Sequence, residues 1–133
     1  MANNPKKQYR YKDLDMSFKP HPVTGDIIRK FDAEAIKRSV KLLVLTEFYG
    51  RLFDPEKASG TRSLLFENIT PATAGLIEQA IFNAIRNYEP RADISEVTVV
   101  AKPDDNQYEA TIIFNILNIP EPIEVSMVLE RTR

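Results

Sequence analysis

Apolar positions recur every three or four residues over two stretches of this chain and every second residue over three others. The first helical pattern is "AEAIKRSVKLLVLT", where Ile36, Val40, Leu43 and Val44 share one face and Lys37, Arg38 and Lys41 form a solvated opposite face. Asp32 stands before it as an N-cap. The second, "TPATAGLIEQAIFNAIRNY", is the clearest in the chain. Thr70 is a good N-cap, Pro71 suits the first helical position, and Ile77, Ala80, Ile81, Ala84, Ile85 and Tyr88 line one side. At about 1.5 Å per residue it runs roughly 27 Å, enough to cover a small sheet. A shorter helical turn is expected over "RSLLFENI".

The alternating stretches all lie in the last third: "ISEVTVVA", "QYEATIIFNIL" and "IEVSMVLE". Tyr108, Ala110, Ile112, Phe114 and Ile116 fall on one face of the middle segment, and Ile123, Val125, Met127 and Leu129 on one face of the last. The turn "PDDN" and the short connection "NIPEP" predict an antiparallel three-stranded meander. The fold class that follows is α+β, two layers, with helices on one face of a small antiparallel sheet.

Elsewhere the pattern fades. Residues 1–22, ending in "FKPHP", have no sustained period and are read as an extended basic arm ahead of a single domain over 23–133; "TGDIIRKF" is read as a short strand or turn. The segment "EFYGRLFDPEKASG" is broken by Gly50, Pro55 and Gly60. It is expected to be an ordered loop anchored by burial of Phe48, Tyr49, Leu52 and Phe53, since four large apolar side chains together are unfavourable in water.

Composition narrows the chemistry. A chain of 133 residues, 43% hydrophobic, has the size of one core. The absence of cysteine excludes disulfides and thiolate chemistry, and no early apolar segment has the length of a signal peptide or membrane span, so a soluble protein made in the cytoplasm is expected. His21 is the only histidine and lies between prolines, which favours a surface or packing role over a metal or general-base role. None of the four glycines forms a phosphate cradle; no cofactor or metal is expected. Charge is uneven: Lys6, Lys7, Arg10 and Lys12 precede the first acid, whereas residues 89–133 carry nine carboxylates against four basic groups. With Tyr9 and Tyr11 the arm has ingredients of a nucleic-acid contact, but four charges make a small footprint, and ordering against a protein neighbour is the preferred reading.

Where the second helix ends, "RNYEPRADI" sets Glu89 and Arg91 on either side of Pro90. Proline ends the helix, because it lacks an amide proton and crowds the residue before it. The charges admit two readings. They form an exposed local pair contributing about 0 to 1 kcal/mol, or they present an acceptor and a planar donor fork to a partner.

The run from "LLVLTEFYGRLFDP" through "LLFENITPATA" to "AIRNYEPR" resembles the small baseplate wedge subunits, or sheath initiators, of contractile-tailed phages, the T-even type above all. TssE of type VI secretion baseplates is a related subunit. The Glu89, Pro90, Arg91 triplet at a helix end is the most specific part, supported by Gly50, Arg51, Pro55, Leu65 and Phe66; the resemblance spans roughly residues 30–130. The loop "PEKASG" departs from it, lacking the aromatic and glycine usual soon after the Pro-Glu.

That resemblance implies a virion protein of the tail baseplate, assembled in the host cytoplasm, without catalytic turnover and with neither nucleic acid nor membrane as partner. Glu89, Pro90 and Arg91 would engage a core helix bundle of larger wedge subunits, with repeated copies in a symmetric ring. The last strand, through Ile123, Glu124, Val125, Ser126, Met127, Val128 and Leu129, would be the edge onto which the tail sheath protein adds strands, unless the chain's own N-terminal arm covers it. The rival readings are a small nucleic-acid-binding module and a lysozyme-like glycoside hydrolase, a label the family has carried. For the hydrolase Glu67 and Glu89 are the available carboxyls, though Arg91 beside Glu89 favours the ionised form, the wrong direction for a general acid.

Overall fold

The computed structural model describes residues 10–117 and 119–131. The part of the basic arm that carries Lys6, Lys7 and Tyr9 lies outside them. Packing divides the chain into two compact units, Met1–Ile36 and Lys37–Arg133.

The first unit is built on a hairpin of two three-residue strands, β1 (Lys12–Leu14) and β2 (Arg29–Phe31), paired antiparallel. The strand or turn expected of "TGDIIRKF" is therefore a strand, and its partner comes from the arm. Its connection is closed by polar groups. The exposed His21 accepts the amides of Val23 and Thr24 on Nδ1, at 3.2 and 3.4 Å, so the lone histidine stabilises a surface turn. Asp15 is buried; its Oδ1 accepts the Ser17 amide, and Lys30 lies 3.8 Å from its Oδ2. Helix α1 (Asp32–Leu45) follows directly. Asp32 stands at φ +44, and the carboxylate expected to cap α1 instead accepts the Arg10 and Tyr11 amides at 2.9 and 3.0 Å.

In the second unit α2 (Thr61–Leu64) and α3 (Pro71–Tyr88) precede the meander β3 (Ala92–Lys102), β4 (Gln107–Ile116) and β5 (Ile119–Glu130), in spatial order β3-β4-β5. The Thr70 hydroxyl accepts the Thr73 amide and Pro71 opens α3, which packs along β3 through a face that buries Ile77, Ile81, Ala84 and Ile85. Every apolar position expected on the inner faces of β4 and β5 is buried, and the residues between them on β5 are exposed. This is the α+β architecture expected, with one sheet face covered and one open. Buried Tyr108 reaches the Asn68 carbonyl with its hydroxyl at 3.4 Å, and the Thr73 hydroxyl donates to the same oxygen, which secures the start of α3.

Two elements differ from expectation. β5 begins at Ile119 and takes in Pro120 and Pro122, which an edge strand tolerates because only one side of its backbone must pair. The 46–60 loop is ordered by polar rather than apolar anchors. Phe48, Tyr49, Leu52 and Phe53 are 52, 84, 94 and 99% exposed, contrary to the burial expected. The hydroxyls of buried Ser59 and Thr61 both donate to the Val44 carbonyl, at 2.7 and 2.9 Å, and so satisfy an acceptor that the end of α1 leaves without a helical partner. The Tyr49 amide closes the loop on the Pro55 carbonyl at 2.8 Å.

Candidate functional site

The corner between α3 and β3 is built by its own sequence. Glu89 caps α3 with φ −128 and ψ 74, its amide donating to the Ile85 carbonyl at 2.8 Å. Pro90 cannot extend the ladder of amides, and the Ala92 amide returns to the Glu89 carbonyl at 3.1 Å, which turns the chain into β3. All peptide bonds in the described residues are trans.

The side chains of Glu89 and Arg91 meet in a two-pronged pair, Nε to Oε1 at 2.6 Å and Nη2 to Oε2 at 2.9 Å. Glu89 is only 4% exposed, while the Arg91 side chain keeps 26% and Pro90 is exposed. Ser39, from α1, donates its hydroxyl to the same Oε2. The two residues therefore do lie on one side of the chain, but they are not the exposed pair that would contribute little to the fold. Burial by itself pushes the Glu89 carboxyl up; the hydrogen bonds from Arg91 and Ser39, with the charge of Arg91, outweigh it and hold the group below its ordinary value. Glu89 is thus a fixed anion turned inward, and the parts of the corner that meet solvent are Pro90 and the partly exposed Arg91 side chain. Ser39 lies fifty positions upstream. No local signal links it to the triplet; its place one turn before the buried Leu43 was the available hint.

The residues expected to form a docking edge divide by face. Ile123, Val125, Met127 and Leu129 point into the core, and Glu124, Ser126 and Val128 point to the open face. From Ile123 to Glu130 the pairing with β4 runs in unbroken register, Phe114 opposite Ile123 and Gln107 opposite Glu130. Among the described residues no further strand pairs with β5; the strand contributed by the arm pairs with β2. The opposite edge, β3, is interrupted by a bulge between Ile94 and Glu96, where Asn115 donates to the Ser95 hydroxyl at 2.8 Å.

Glu67, the second carboxyl weighed for hydrolysis, is exposed beyond α2, and Glu89 is ionised and committed to Arg91. No cluster of three potential metal ligands exists among the described residues, and none of their helices is long and apolar enough to cross a membrane.

The family model described as baseplate wedge protein gp25 matches residues 31–118. The chain is 37% identical over 114 residues to baseplate wedge protein gp25 of Enterobacteria phage T4, with 86% of each chain covered. Among solved structures, a putative tail lysozyme from Geobacter sulfurreducens shares the fold at TM-score 0.66 and 20% identity, over 74% of this chain and 89% of that one. The baseplate of the anti-feeding prophage contains a chain similar at TM-score 0.62 and 21% identity, over 92% and 87% of the two chains. On the extent of both sequence matches, the chain belongs to the baseplate wedge protein gp25 family.

Proposed function

We propose that this protein is a structural subunit of a contractile phage tail baseplate that joins wedge proteins to the first ring of the sheath, in repeated copies around a symmetric ring. The observation that carries the reading is the edge of β5, eight residues in regular register with no described strand beside them. Such an edge is a template for strand addition. Each outer strand has one register shift, and the regular run on β5, Ile123 to Glu130, is the longer of the two by one residue, against Glu96 to Lys102 on β3.

The corner supplies the second contact. Pro90 and the outer edge of Arg91 face a helix bundle of the larger wedge subunits, and Glu89 acts as a positioning residue that fixes the guanidinium plane from behind. A hydrolase is disfavoured by the same geometry, because a carboxyl held ionised cannot donate the proton that glycosidic cleavage requires. The test is co-assembly of purified protein with its wedge partners and sheath. Arg91→Ala, compared at equal folded fraction, should reduce wedge incorporation while sparing strand addition. Ser126→Pro should do the reverse. Normal assembly by both folded variants would refute the bridging role.

A further inference from the structure

The β5 edge has chemically different sides. On the open face its exposed side chains include Glu124 and Glu130, and the strand carries no basic residue. The cross-strand neighbours of Glu124 and Glu130 are Ile113 and Gln107, and Glu109, opposite Val128, is already paired with Lys102. The Ser126 hydroxyl donates to Glu124 at 3.3 Å, so that carboxylate has a neutral partner only. Among the described residues, then, the acids along this edge lack a cation. On the covered face, beside the last residues of β5, lies a groove of about 250 Å³ whose apolar lining includes Val44, Leu45, Leu65, Phe66 and Leu129. Leu45 and Phe66 are half exposed there. The two guanidinium groups at its rim are occupied, Arg62 with Glu47 and Arg131 over the Phe66 ring at 5.2 Å.

A strand added to β5 continues the pleat, so its alternate side chains fall beside the acids and beside the groove. We infer that the β5 edge selects a partner strand alternating basic and apolar side chains, its Lys or Arg residues facing Glu124 and Glu130 and its apolar residues facing the groove. This rests on the docking reading of β5 proposed above and adds the chemistry of the strand that docks. Opposite charges on neighbouring strands attract and like charges repel, which gives discrimination between partners as well as affinity.

Three ten-residue peptides test it by fluorescence polarisation against the full-length chain. One alternates valine and lysine, one alternates valine and glutamate, and one has the valine–lysine composition with the alternation scrambled. The expected result is that the alternating lysine peptide binds at least about tenfold more tightly than the glutamate peptide, and that the double variant Glu124→Lys, Glu130→Lys inverts the preference. Both changes are at exposed positions, so the melting temperature should hold. Equal binding of the two alternating peptides, equal binding of the scrambled one, or a preference unchanged by the double variant would overturn the charge rule. The edge reading would survive those results if folded Ser126→Pro still lost the peptide. Binding of the lysine peptide undiminished in folded Ser126→Pro, or no binding of any peptide by the wild type, would overturn the charge rule and the edge reading together.

Discussion

Glu89 is a buried carboxylate held from two sides, by Arg91 beside it in sequence and by Ser39 from α1. Removing it leaves the Arg91 guanidinium and the Ser39 hydroxyl without their shared acceptor in a largely buried setting. Hydrogen bonds to charged groups contribute about 1.5 to 3 kcal/mol each, and loss of a buried partner adds a desolvation cost. Arg91 retains some solvent, so Glu89→Gln is expected to destabilise the protein by about 2 kcal/mol at neutral pH. The pH dependence has a definite sign. The folded carboxyl titrates below its ordinary value of 4.5, so its contribution is complete above that pH and is lost as pH falls through the lower folded value. Wild type should therefore lose its advantage over Glu89→Gln on acidification below about 4.5. Parallel denaturation curves of the two proteins at neutral and acid pH measure this; a constant difference across that range would contradict the buried ion pair.

Gly60, just before α2, sits at φ +69, and a Cβ there would lie 2.6 Å from the Phe48 ring. That ring is half exposed and free to move aside, so the backbone term should dominate. Gly60→Ala is expected to cost about 1 kcal/mol, and the cost should persist in a Phe48→Ala background. Full rescue in that background would make the ring contact the cause instead.

Among the elements, the β5 edge can be tested separately from the β5 core. Ser126→Pro deletes one backbone donor and no buried side chain. A folded variant with near-native melting should fail to receive a sheath strand; sheath growth at the wild-type rate on folded Ser126→Pro would remove β5 as the docking edge. This element was readable beforehand, as were α3 and β4, because each keeps one strict period over eight or more residues and has clear stop signals. Three-residue strands carry no period, so the pairing of β1 with β2 was not. The 46–60 loop was misread for a different reason: its anchors are the hydroxyls of Ser59 and Thr61, while Leu52 and Phe53, the residues that looked like anchors, are left to solvent. At the corner, Pro90 and the two charges announced a turn and a pair. The depth at which Glu89 is held depended on Ser39 from a distant helix.

For the molecule as a whole, the fold it shares with a protein named as a tail lysozyme makes the absence of hydrolysis a real prediction. Glycosidic cleavage needs a protonated carboxyl beside an ionised one, whereas Glu89 is kept ionised and Glu67 is open to water. Purified protein should leave a suspension of cell walls as turbid as buffer does. Clearing that disappears in folded Glu67→Gln or Glu89→Gln would establish an activity.

The bridging role is tested most directly by a cryo-EM map of the assembled tail at side-chain resolution. It should place this chain in the baseplate with a sheath strand hydrogen-bonded along residues 123–130 and wedge helices against Pro90 and Arg91. A map in which the β5 edge stays open to solvent, and Arg91 faces no other subunit, would contradict it.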